Sequence, residues 1–265
     1  MADPAKKYRS LRRLLSDLCR LTETWVDRSN LPEDDDFELF SQLFLLRQTD
    51  HARAVLALGQ HHDVSLVVRS MHEGLWQLAW CTEDPDKRAA RWKAFVVIHD
   101  WRHARADREE MGYVKQPEAR EIKRLHDQWH EEFLSGHAKK KRAQGKPIPA
   151  DPYVKHWTGL SVKEIHEQLG AHAKEYGLIY NQLSDWHHWN TAGFGTVLER
   201  QGSHRTFPRH TDSMTTGALV LALRYLWETA RIHERFHHVG DGTALVKLRR
   251  RLVSVAGKYL QREIA

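Results

Sequence analysis

Leu11, Leu14, Leu15, Leu18, Leu21 and Trp25 recur at steps of three and four residues, and this period is the strongest constraint the chain places on its fold. Side chains at that spacing share one side of an α-helix, whereas a strand alternates at every second residue. The segment runs from about residue 4 to 28, where Asn30-Leu31-Pro32 stops it. Acidic Glu33 to Asp36 then favour a new helix start, because carboxylates stabilise the positive end of a helix dipole. Further helices are predicted from about 37 to 58, 64 to 80, 84 to 111 and 116 to 136. Ser161 with Glu164 makes a capping box for a short helix that Gly170 ends. Residues 218 to 238 are almost continuously apolar or bulky and predict a central helix. Gly240-Asp241-Gly242 separates it from a last basic helix reaching about 262.

Gly193, Gly195 and the stretch from Gly202 to Pro208 predict an irregular connection, and no strand-like alternation or repeat period is found. The fold class is therefore all-α. One helical bundle of about eight helices is expected over residues 1–265. Its core lies at about 36–240, with the helices at 4–28 and 243–262 packed on it.

Composition narrows the class. A hydrophobic share of 41% with 10 Trp sustains a core, while 8 Pro and 15 Gly argue against a disordered or turn-rich all-β chain. The two cysteines, Cys19 and Cys81, fall on apolar helical faces and predict buried thiols in a cytosolic protein. The N-terminus leads into an amphipathic helix instead of an apolar signal core. The longest apolar run, Ala218 to Leu223, is too short to span a bilayer. A cytoplasmic protein without membrane contact is expected. The net charge of +6 permits contact with nucleic acid. Lys139, Lys140, Lys141 and Arg142, followed by Gly145-Lys146-Pro147, form a linker-like basic stretch, either a solvated loop or an RNA contact.

Two stretches concentrate chemistry. Tyr180, Ser184 and His188 are each four residues apart, so in a helix they differ by about 40° per step and line one narrow face. A phenol, a hydroxyl and an imidazole on such a stripe make either a buried polar network or a site. Arg69 and Glu73 also stand four apart, among Val67, Val68, Met71, Leu75 and Trp76. A charge pair on so apolar a helix needs internal partners. His99/His103, His126/His130 and His233/His237 have the spacing by which one helix offers two metal ligands. The further carboxylates of a helical metal site are not evident, and structural histidine is the preferred reading. No nucleotide or cofactor fingerprint is present, so neither a cofactor nor a metal is expected.

Four segments stand in an order that resembles an uncharacterised bacterial all-helical family, a domain of unknown function. They are Leu66-Val67-Val68-Arg69-Ser70-Met71-His72-Glu73, Asp86-Lys87-Arg88-Ala89-Ala90-Arg91-Trp92, Trp157-Thr158-Gly159-Leu160-Ser161, and Tyr180-x2-Leu183-Ser184-x3-His188. The resemblance covers about residues 40 to 230 and implies a polar cluster of Arg69, Glu73, Tyr180, Ser184 and His188. The chain is also distantly similar to the HEPN superfamily, whose helical bundles include toxins and antiphage ribonucleases. That similarity implies a HEPN-like core and a site that a homodimer completes. Active HEPN nucleases carry an Arg-x4-6-His motif, which Arg205-x4-His210 and Arg231-x5-His237 match in spacing. Arg205 and His210 are the second-choice catalytic pair.

The implied activity is metal-independent RNA cleavage in a toxin or antiphage system. His188 would take the ribose 2′-OH proton, Arg69 would hold the phosphate and Glu73 would orient one of them. The rival is a non-catalytic helical module binding a small ligand, or a partner protein encoded nearby, in the same pocket. A metal-dependent hydrolase using the paired histidines is the third alternative.

Overall fold

The computed structural model describes residues 8–28, 35–59, 61–111, 116–170, 176–181, 183–184, 199–201, 204–206, 212–239 and 242–264. The described residues form an all-α bundle, as their periodicity requires. They fall into two compact units, one of Met1–Glu83 with Ile165–Ala265 and one of Asp84–Glu164.

The larger unit contains helices α1 (Arg9–Arg28), α2 (Asp36–Leu58) and α3 (Val64–Cys81). Asp35 caps α2: its carboxylate accepts the N–H of Glu38 at 2.7 Å, and Asp36 and Glu38 complement the helix dipole in the first turn. Gly59 closes α2 at a φ of 63°, a left-handed conformation that costs glycine little. The larger unit also contains the long helix α9 (Asp212–His237) and helix α10 (Thr243–Ile264). The long helix packs against α1, α2, α3 and α10, which makes it the centre of the unit. Phe40, Leu45, Val68, Met71, Leu78 and Leu226 are sealed in that core. Both cysteines are buried and neither is in a disulfide, and burial pushes the Cys19 thiol up to about 12.

Gly74 sits in the middle of α3, where glycine normally weakens a helix. A Cβ there would lie 2.9 Å from Nε2 of Gln48, which donates to the Met71 carbonyl at 2.7 Å. The missing side chain lets α2 and α3 approach closely enough for that bond, directly beside Glu73.

The smaller unit holds α4 (Pro85–Ala94), α5 (Val96–Met111), α6 (Gln116–Trp129), a 3-10 turn (His130–Phe133) and α7 (Gly136–Ala143). The helix expected to run unbroken from 84 to 111 is interrupted at Phe95, whose N–H contacts the carbonyls of both Arg91 and Trp92. The break buries Phe95 edge-on against Phe133, with ring centroids 5.2 Å apart. The basic stretch expected as a loop is helical. Ser135 caps α7 by accepting the Ala138 N–H, and buried Ala138 anchors the short helix. Helix α8 (Val162–Gln168) begins at the expected capping box, with Ser161 N–H donating to Glu164 at 2.6 Å and Glu164 N–H returning to Ser161 Oγ.

Within the expected irregular connection, Glu199–Gln201 (β1) and His204–Thr206 (β2) pair antiparallel as a short hairpin. No helix among the described residues is long and apolar enough to cross a membrane.

Adjacent Leu45 and Leu46 provide the test of this packing, being 0% and 40% exposed. We expect Leu45→Ala to lower the unfolding free energy by about 2–5 kcal/mol and Leu46→Ala by less than about 1 kcal/mol, measured by urea titration.

Candidate functional site

Arg69 and Glu73 lie one turn apart on α3, with side chains 16% and 31% exposed. Arg69 Nε donates to Glu73 Oε1 at 3.1 Å, and Arg69 Nη2 donates to the Tyr180 hydroxyl at 2.9 Å. The phenol donates in turn to Glu73 Oε1 at 3.1 Å. The three side chains therefore close a triangle in which each group touches the other two. The guanidinium carbon also lies 5.1 Å from the centre of the Tyr180 ring, adding a cation–π contact. This is the internal partner that a charge pair on an apolar helix requires, and it comes from a segment 107 residues further along the chain. Burial raises the Tyr180 phenol above its ordinary pKa. The Arg69 hydrogen bond opposes that rise, and the Glu73 carboxylate reinforces it.

Tyr180 ends a π-helical turn, Tyr176–Tyr180. The wider turn stacks Tyr176 on Tyr180, with centroids 5.0 Å apart and planes 19° from parallel. His72, buried on α3 one turn before Trp76, tilts against Tyr180 at 5.6 Å and stacks on His166 at 5.0 Å. Trp76 donates its indole N–H to His72 Nε2 at 3.0 Å. An accepting Nε2 makes His72 the neutral Nδ1–H tautomer. Burial pulls its pKa down to about 3, helped by His166 and Arg224. The polar triangle thus rests on a continuous stack of rings.

Of the predicted site residues, Arg69, Glu73 and Tyr180 meet. Ser184 follows Tyr180 by four residues in a helical segment and is half-buried. His188 lies outside the described residues. Of the second-choice pair, Arg205 is in β2 opposite Arg200, and His210 lies outside the described residues. Arg231 and His237 do not converge: Arg231 pairs with Glu228 at 2.9 Å, whereas His237 bonds to Ser41. Six residues apart on one helix, they point about 120° away from each other. Arg142 pairs with Glu131, and Lys139 and Lys140 project from α7 into solvent with Lys141 half-buried.

The histidine pairs have other uses. His126 bonds to the Tyr153 hydroxyl at 2.6 Å and stacks on His130, while His233 and His237 share the Ser41 hydroxyl. His99 lies edge-on against Phe95. Among the described residues no group of three or more His, Cys, Asp or Glu side chains is arranged to hold a metal ion.

Sequence reading missed His72, His166 and Tyr176. The signal was there in part, because His72 is three residues after Arg69 and Tyr176 four before Tyr180. His166 carries no such mark, and only the fold brings it to His72. In the smaller unit the other two motif segments also meet. Arg91 Nε donates to the Trp157 carbonyl at 2.8 Å, and Gly159, at a φ of 70°, leaves room for the Arg91 side chain.

Residues 39–205 match the model of a family of unknown function, DUF5677, and the chain belongs to that family. No curated protein and no solved structure matches it.

His72 and His233 are fully buried, and burial holds each at about 3. Their unfolded forms take up a proton near 6.5, which the folded forms refuse. Each therefore contributes stability that is present above pH 6.5 and lost as pH falls from there toward 3. The slope is about 1.4 kcal/mol per pH unit for each group. We expect His72→Gln to flatten the pH dependence of unfolding free energy between pH 6 and 4 by about that amount relative to wild type. Parallel curves would contradict the buried neutral His72.

Proposed function

We propose that this chain is an RNA-directed protein of HEPN-like type that cleaves RNA without a metal, in a toxin or antiphage setting. The observation that supports this most is the meeting of Arg69, Glu73 and Tyr180 from two segments far apart in sequence. Of the five N–H donors of a guanidinium, the triangle engages Nε and one on Nη2, leaving Nη1 without a partner among the described residues. An arginine fixed on two sides with donors to spare suits the negative charge that builds on a phosphate under attack. Glu73 and Tyr180 act as positioning residues. His188, eight residues after Tyr180, is the base that takes the 2′-OH proton, with Ser184 between them. The attacking 2′-oxygen forms the new bond to phosphorus while the bond to the 5′-oxygen breaks and that oxygen takes a proton from water, giving a cyclic phosphate and a freed 5′-hydroxyl.

The rival function is a binding module without catalysis. It is favoured by the closure of the triangle, in which Glu73 already neutralises Arg69. In that reading the same side chains form a recognition surface for a small ligand or a partner protein.

Incubation of the purified chain with transfer RNA and total RNA in the presence of chelator separates the two. We expect cleavage that His188→Ala reduces by about 10²–10⁴ and Arg69→Ala by about 10²–10³. Glu73→Gln should keep most of the activity, because an amide still accepts the Arg69 N–H. Absence of cleavage by a folded wild-type chain would favour the binding module. Equal tolerance of His188→Ala and Glu73→Gln would remove His188 as the base.

A further inference from the structure

Beyond the triangle, a cleft of about 330 Å³ lies between α3 and α9 in the larger unit. That volume falls at the lower end of the range of small-molecule sites, about 300–1,000 Å³. Its lining divides by chemistry. Arg224, Arg231 and Arg235 stand on α9 at steps of seven and four, so they fall within about 40° of one another around the helix. Leu75, Trp76, Ile232 and Phe236 supply an apolar floor. Glu83 and Glu228 add two carboxylates, and Glu228 holds Arg231 at 2.9 Å.

Each component excludes a class of occupant. The excess of guanidiniums over carboxylates favours an anion, and exposed Arg231 and Arg235 offer donors to phosphate oxygens. A bare anion would leave the apolar floor unused and would face both carboxylates. An apolar ligand would strip water from the arginines without replacing it. The occupant that satisfies all three carries phosphate for the arginines, a flat apolar body for the floor, and O–H or N–H donors for Glu83 and Glu228. We propose that the cleft binds a nucleoside phosphate, as a free mononucleotide or as one nucleotide of an RNA strand.

The cleft is also linked to the candidate site through side-chain contacts. Trp76 lines its floor and donates to His72, which packs against Tyr180. Arg69, Glu73 and Trp76 follow one another along a single stripe of α3. The cleft begins at Leu75, about 9 Å along the helix from Arg69, so a strand whose scissile phosphate sat at Arg69 would run toward it. In its RNA form the proposal rests on the ribonuclease reading; in its free-nucleotide form it does not.

Calorimetric titration of the full chain tests it, with AMP, UMP, adenosine, inorganic phosphate and a short oligoribonucleotide as separate probes. We expect the mononucleotides to bind at least about tenfold more tightly than adenosine or phosphate alone. Arg231→Gln combined with Arg235→Gln should weaken that binding at least about tenfold, whereas the exposed control Arg20→Gln should not. Arg231 and Arg235 are both exposed, so an unchanged melting temperature certifies the fold of the double variant. An oligonucleotide that binds more tightly than AMP, and loses affinity in Arg69→Ala as well, identifies RNA as the source. An oligonucleotide no tighter than AMP, with AMP affinity untouched in Arg69→Ala, identifies the free nucleotide. Nucleotide binding in a chain that never cleaves RNA keeps the cleft and removes only the ribonuclease. Equal affinity of the double variant, phosphate as tight as AMP, or no binding by any probe at millimolar concentration would overturn the proposal.

Discussion

A guanidinium that is only 16% exposed on a largely apolar helix is the constraint on which the docking of the Tyr180 segment depends. Removing such a charge from water is costly unless the fold returns its hydrogen bonds. Glu73 returns one from the same helix, and Tyr180 returns another from a segment more than a hundred residues further along the chain. Satisfying Arg69 therefore fixes where the Tyr180 turn docks. The ring stack of Tyr176, Tyr180, His72 and His166 supplies the apolar half of the same docking. Gly74 contributes by letting α2 close on α3 beside Glu73.

The same logic recurs in the smaller unit. Arg91 is half-buried, and burial lowers its pKa against the pull of Glu132. It finds the Trp157 carbonyl and lies over the Phe133 ring at 4.7 Å. In each unit a half-buried arginine from an early helix captures a later segment. The four sequence segments thus act as two pairs, each with its own arginine.

What the sequence made legible is what a few neighbouring residues decide. The Ser161–Glu164 capping box and the Asp35 start of α2 depend on atoms within three residues, and both were readable. The break at Phe95 depends on Phe133, and the His72–His166 stack joins groups 94 positions apart by their residue numbers. No local period reports such contacts. The basic α7 was hidden for another reason, since consecutive lysines give no amphipathic pattern and a single buried alanine holds the helix. The Arg69–Glu73 pair announced that it needed a partner, and Tyr180 stood out as a polar stripe. That each was the other's answer became visible only in the folded chain.

The central claim is that Arg69 and Tyr180 act as one unit. A double-mutant cycle on unfolding free energy, with Arg69→Gln, Tyr180→Phe and the pair combined, tests it most directly. Groups in contact within one network couple by about 0.5–3 kcal/mol, whereas independent sites add within about 0.3–0.5 kcal/mol. The account expects a coupling of at least about 0.5 kcal/mol, with the second substitution costing less once the first is made. Strict additivity would contradict it and would return the two segments to separate roles.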